Sequence, residues 1–171
     1  MIFIIIGDTC VGKSTLMNFA MKEYKLSQIK QFTTRKRRNK NDNEYIFVSL
    51  SSFNKTDYVN IKKYNSNYYG VTKESIKNAD TDHKILITDY ATAKKIKKES
   101  KAEIIYLRAP LYARVKRIWN KSNARNKKRI LLDIFYFWEI FLADKVIYNN
   151  KGILDLECKA RDYFDEKIKY T

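Results

Sequence analysis

Apolar and polar positions divide this chain into short elements of two kinds. Ile2–Ile6 is a continuous apolar run, short enough for a strand buried on both faces. It leads into a glycine-containing loop and then a helix from about Lys13 to Tyr24. Ser27–Phe32 reads as a short strand, and Thr33–Asn43 as a polar, basic loop. Tyr45–Val48 alternates as a strand does, with further short strands at Tyr58–Lys62 and Tyr68–Tyr69. After Gly70 the rhythm changes. Thr72–Asn78 reads as a helix capped by Thr72, Lys84–Thr88 as a strand, Ala91–Glu99 as a helix and Glu103–Leu107 as a strand. Pro110 opens a helix to about Asn120, where proline suits the first turn. The basic stretch Lys121–Arg129 enters a long helix to Leu142, apolar nearly all round. Lys145–Tyr148 is a strand, and Leu154–Ile168 a closing helix. Strands alternating with helices predict a parallel sheet with helices on both faces. Residues 33–70, rich in short strands, interrupt that pattern as an inserted subdomain would.

Composition narrows the class. With 171 residues, the chain suits one domain with a real core and is too short for two full ones. Hydrophobic residues make up 44% and aromatics 14%, enough to build that core. Only 4 Gly and 1 Pro exclude collagen-like chains and long flexible linkers. Cys10 and Cys158 cannot form a disulfide framework, so a reducing, cytoplasmic home is expected. His83 is the sole histidine, which excludes a His-based triad or a two-histidine metal site. The net charge of +16 favours anionic partners: nucleic acid, phosphorylated small molecules or a membrane surface. The same lysines also read as solvated surface with no partner. No spanning segment is expected, because the run from Ile130 to Ala143 is short and interrupted by Asp133 and Glu139.

The chemistry is concentrated near the start. Gly7-Asp8-Thr9-Cys10-Val11-Gly12-Lys13-Ser14 satisfies G-x-x-x-x-G-K-S/T, after a buried strand and before a helix. The glycines permit a tight loop whose N–H groups point at phosphate oxygens, and the helix N-terminus adds its dipole. Lys13 can reach the β and γ phosphates, and the Ser14 hydroxyl can ligate Mg²⁺. Cys10 reads as a space-filling loop residue. Asp89, at the end of the strand beside this loop, can hold Mg²⁺ through water, and also reads as the cap of the helix near Ala91.

Beyond the loop the chain resembles the guanylate kinase family of nucleoside monophosphate kinases. Gly7–Thr15 matches that family's phosphate loop. Thr33-Thr34-Arg35-Lys36-Arg37-Arg38 resembles its T-T-R-x-x-R, Glu44-Tyr45-Ile46-Phe47-Val48-Ser49 its D-Y-x-F-V-S, and Asn67-Tyr68-Tyr69-Gly70 its N-Y-Y-G. The resemblance implies a three-layer P-loop α/β fold. Its core would comprise 1–32, 71–119 and 139–171, with an acceptor-binding subdomain at 33–70 and a helical lid at 120–138. It implies that Arg35, Arg38, Tyr45 and Tyr69 grip an acceptor phosphate. Arg117 and Arg129, with Lys121 beside them, would close over the transferring group. Asn149 matches a family asparagine near the ATP adenine.

The base-reading positions depart from the family. Asn60 stands where a glutamate accepts from guanine, Val71 where a serine or threonine is usual, Ala91 where a second aspartate follows, and Gln31 where a serine precedes T-T-R. The resemblance therefore implies ATP- and Mg²⁺-dependent transfer to a nucleoside monophosphate, GMP or dGMP foremost. A phosphorylated sugar acceptor and a non-catalytic binding module are the alternatives. Small-molecule partners are expected ahead of nucleic acid, with no membrane association and a monomer or homodimer.

Overall fold

The computed structural model describes residues 1–37, 40, 42, 45–77, 82–119, 140, 141 and 143–169. The chain runs β1 (Ile2–Gly7), α1 (Lys13–Tyr24), β2 (Ser27–Gln28), β3 (Gln31–Thr33), β4 (Tyr45–Phe47), β5 (Tyr58–Tyr64) and β6 (Asn67–Thr72). It continues through α2 (Lys73–Lys77), β7 (Lys84–Ile87), α3 (Tyr90–Glu99), β8 (Ala102–Arg108), α4 (Leu111–Trp119), β9 (Lys145–Tyr148) and α5 (Ile153–Lys169). One sheet is parallel throughout and five-stranded, in the order β2-β7-β1-β8-β9. The second is four-stranded and mixed, in the order β4-β3-β6-β5.

The apolar run at the start becomes the middle strand because both its faces are covered. Phe3 and Ile5 point into a core with Leu16 and Ala20 of α1 and Tyr163 and Phe164 of α5. Ile2, Ile4 and Ile6 point the other way, into a core with Ala93 and Ile96 of α3. The Phe3 and Phe164 rings meet edge to face at 5.0 Å. Each fully buried isoleucine contributes about 1.5–3 kcal/mol, which a strand alternating with polar residues would forgo on one face.

The small sheet differs in detail from the expected strands. The span Ser27–Phe32 divides. Its first half pairs with β7 in the large sheet, and from Gln31 the chain belongs to the small one. Gln31 Nε2 donates to the Ile87 carbonyl at 2.6 Å and stitches the two sheets together. β6 runs longer than Tyr68–Tyr69 because Asn65 and Ser66, with φ of 46° and 62°, make a two-residue hairpin turn that lets it pair along β5. A side chain at Gly70 would meet the Tyr58 ring at 2.5 Å, so glycine lets the two strands close over that ring. Phe53 stacks on Tyr58 at 4.4 Å and on Tyr68 at 5.6 Å, giving the small sheet an aromatic core of its own. Thr72 Oγ1 accepts from Ser75 N at 3.3 Å and caps α2. Of the expected helix ending at Leu142, only Ile140 and Phe141 lie among the described residues.

Candidate active site

The phosphate loop lies between β1 and α1, at the C-terminal ends of the parallel strands. Gly7 has φ of 135°, and a Cβ there would stand 2.2 Å from the Leu107 carbonyl oxygen, so no other residue fits. Gly12, φ 111°, caps α1. Cys10 also takes a left-handed backbone, φ 63°. The loop carbonyls are gripped in succession. Lys13 Nζ donates to Gly7 at 2.8 Å and Asp8 at 2.6 Å. Arg114 Nε donates to Thr9 at 3.0 Å. Arg117 Nη1 donates to Cys10 at 3.1 Å and Val11 at 3.2 Å, and Asn149 Nδ2 to Val11 at 2.8 Å. In the first turn of α1, Ser14 is exposed and Thr15 half-buried.

The side chain of Asp8 turns to the protein. Its Oδ1 accepts from the Tyr106 hydroxyl at 3.1 Å and its Oδ2 from Arg114 Nη1 at 2.8 Å. Asn149 follows β9 and is 4% exposed; its Oδ1 is a buried acceptor with no partner among the described residues.

Asp89 lies two residues beyond β7, which neighbours β1. It caps α3, with Oδ1 accepting from Thr92 N at 3.3 Å and Oδ2 from Thr92 Oγ1 at 3.0 Å. Lys62 Nζ stands 4.0 Å from the same carboxylate. Asn60 Nδ2 donates to Thr92 Oγ1 at 2.9 Å, and its Oδ1 accepts from Lys95 Nζ at 2.8 Å. Val71 is fully buried in the core with Ile4, Ile6 and Ala93, so it serves packing in this conformation. Ala91 is exposed on the first turn of α3.

Arg35 anchors the other side. Its Nη1 donates to Asp42 Oδ2 and to the Lys36 carbonyl, at 2.8 and 2.9 Å. Its guanidinium lies 5.3 Å from the centre of the Tyr45 ring and 5.2 Å from that of Phe47. The bond to Asp42 raises its already high pKa, outweighing the effect of burial. Tyr45 packs on Tyr69 edge to face at 5.6 Å. Arg35 Nε and Nη2 are buried without a partner among the described residues. Arg38, Lys121 and Arg129 lie outside the described residues.

A family model described as Guanylate kinase matches residues 1–151. This chain belongs to the guanylate kinase family. The crystal structure of guanylate kinase from Anaplasma phagocytophilum superposes with a TM-score of 0.68 at 19% identity, covering 98% of this chain and 85% of that one. An uncharacterized protein from Eubacterium ventriosum ATCC 27560 superposes with a TM-score of 0.54 at 8% identity, covering 100% and 99%. No curated protein matches the chain in sequence. The fold is that of a guanylate kinase, and family membership supports a nucleotide-binding phosphotransferase acting on a nucleoside monophosphate. No helix among the described residues is long and apolar enough to cross a membrane.

Four further residues of the site, Arg114, Tyr106, Thr92 and Lys95, are not among those the sequence singles out. For Arg114 a signal existed. It precedes Arg117 by three positions on one helix, so both side chains leave the same face. The partners of Tyr106, Thr92 and Lys95 lie on other elements, and no local spacing announces them.

Proposed function

We propose that this guanylate kinase family member transfers the γ-phosphoryl group of ATP to a nucleoside monophosphate, GMP or dGMP foremost, yielding ADP and the diphosphate. The observation that carries the reading is Arg35. Its Nε and Nη2 are buried and unpartnered among the described residues, beside the Tyr45 ring that packs on Tyr69; Arg35 follows β3 of the small sheet, 20 residues beyond Thr15 at the end of the phosphate loop. Buried donors are normally satisfied, and a phosphate dianion supplies acceptors in the geometry a guanidinium fork suits.

In this reading 33–70 binds the acceptor and 120–138 forms the lid. Arg35, Arg38, Tyr45 and Tyr69 hold the acceptor phosphate, with Asn60 and Gln31 at the base-reading positions and Val71, fully buried, packing beneath them. Loop residues 7–15 hold the donor. Lys13 exchanges the Gly7 and Asp8 carbonyls for β and γ phosphate oxygens, trading neutral acceptors for charged ones. Asn149 Oδ1, the buried acceptor, suits the exocyclic amine of adenine. An acceptor-phosphate oxygen attacks the γ-phosphorus in line as the bond to the β-phosphate oxygen breaks, so no protein nucleophile is required. Arg117 and Arg129 offset the charge spread over the transferring oxygens.

The donor set also fits Mg²⁺, which binds a few protein oxygens and completes its shell with phosphate and water. The Ser14 hydroxyl is exposed, and the Asp89 carboxylate, 33% exposed, keeps lone pairs beyond those used by Thr92. Ser14 and Asp89 would hold the ion, which when bound neutralises charge on the β and γ phosphates.

A second acceptor class, a phosphorylated sugar, is favoured by one observation. Both ends of the Asn60 amide are taken by Thr92 and Lys95, leaving no free carboxylate-like edge for guanine N1 and N2. The test is ATP turnover with GMP, dGMP, AMP and ribose phosphates. Turnover with GMP and dGMP supports the first reading, and turnover with ribose phosphates alone supports the second. No turnover with any acceptor overturns both.

A further inference from the structure

The phosphate loop carries a carboxylate, Asp8, directly after its first glycine. An ionised carboxylate beside a bound polyphosphate opposes binding by simple repulsion. Burial strengthens that repulsion, and the Asp8 side chain is only 14% exposed. The protein answers from two elements. Tyr106 on β8 donates its hydroxyl to Oδ1, and Arg114 on α4, 6% exposed, donates Nη1 to Oδ2. The same guanidinium donates Nε to the Thr9 carbonyl. One turn further, Arg117 binds the next two carbonyls, Cys10 and Val11. Helix α4 thus grips the loop over four successive residues, through one ion pair and three backbone bonds.

Resting on the kinase reading above, we propose that Arg114 is a positioning residue for nucleoside triphosphate binding. It neutralises Asp8 and ties the Asp8–Thr9 segment to α4, so that the loop is preformed and electrically open to a triphosphate. Arg114 reaches the ligand only through the loop. Its spare charge is cancelled by Asp8, so the pair adds shape to the site without adding net charge.

The idea makes an asymmetric demand. Removing Arg114 alone takes away the cation that stands 2.8 Å from a largely buried carboxylate, whereas removing both charges takes away the pair together. Arg114→Leu should therefore weaken ATP binding tenfold or more, measured by titration calorimetry with ATP and Mg²⁺ and without acceptor. Adding Asp8→Asn to that variant should recover most of the loss. Arg114→Lys keeps the charge but not the two-pronged fork, and should fall between the two. In turnover assays the KM for ATP should rise while the acceptor KM stays within about twofold.

If Arg114→Leu binds ATP as tightly as the unmodified protein, the proposal fails and the kinase reading stands. If binding weakens but Asp8→Asn restores nothing, Arg114 serves packing alone, and the neutralising role is overturned. If the unmodified protein binds no ATP, the donor-site reading itself falls. Should Arg114→Leu not fold, Arg114→Gln with and without Asp8→Asn makes the same comparison, and equal affinities to the unmodified protein would overturn the proposal.

Discussion

Arg114 and Asp8 form a largely buried ion pair at 2.8 Å, joining the middle of α4 to the second residue of the phosphate loop across 106 positions of sequence. A buried pair contributes little net stability against an apolar pair, but removing one partner is costly, roughly 3–5 kcal/mol. Arg114→Leu should therefore lower the urea midpoint strongly, and Asp8→Asn in that background should restore a large part of it. Equal, additive losses from the two changes would show that the pair is not coupled.

Lys13→Ala should leave the fold intact and remove most transferase activity, about a hundred- to a thousandfold. Lys13 is half-buried, and its Nζ donates to the Gly7 and Asp8 carbonyls of the loop rather than packing in the core. The check pairs initial rates with a circular dichroism melt. Near-normal turnover by the folded variant would contradict the phosphoryl-transfer reading.

Arg35→Ala should raise the KM for the acceptor far more than for ATP. The loss of a charge-assisted bond to phosphate corresponds to about 1.5–3 kcal/mol, ten- to a hundredfold. Arg35→Lys should recover only part, because an ammonium cannot reproduce the planar fork. A change confined to the KM for ATP would move Arg35 to the donor side.

Asn60→Glu should improve GMP use over AMP, since a carboxylate accepts from both guanine donors. Lys95, which now bonds Asn60 Oδ1 at 2.8 Å, would compete for that carboxylate. The gain should therefore be larger when Lys95→Ala is added. Comparing kcat/KM for GMP and AMP across the two variants separates these effects, and no gain in either would remove Asn60 from the base site.

Asp144 sets a pH dependence of stability. Burial raises its carboxyl pKa, but the Ile104 N–H at 2.8 Å and the Lys97 ammonium more than offset this and hold it below the ordinary value. A group with a depressed folded pKa stabilises above its unfolded value, about 3.9, and loses that contribution as pH falls through the lower folded value. Asp144→Asn should therefore be less stable than the unmodified protein at pH 7, with the difference shrinking below about pH 4. Urea unfolding across that range gives the measurement. A constant difference would assign the effect to packing.

The main sheet was legible in the sequence because its signals are local. A five-residue apolar run, two glycines at fixed spacing and a helix start suffice to place β1, the loop and α1. The small sheet was harder to read. Ser27–Phe32 looks like one strand in isolation, and only the pairing of Ser27 with Lys84 and of Gln31 with Tyr45 divides it. Asn65-Ser66 is a weak turn signal, so β6 was expected shorter than it is.

The sequence by itself determined the fold class, the phosphate loop and the family, since each rests on residue types at short, fixed spacing. Tertiary structure alone decided what those residues touch. It buried Val71 in the core, committed both ends of Asn60 to α3, left two donors of Arg35 unpartnered among the described residues and set Arg114 against Asp8. The Arg114–Asp8 contact joins residues 106 positions apart, and it exists because the strand order sets β1 beside β8 and so brings the phosphate loop against α4. Hydrophobic burial fixes that order, and the polar partners follow from where it leaves them.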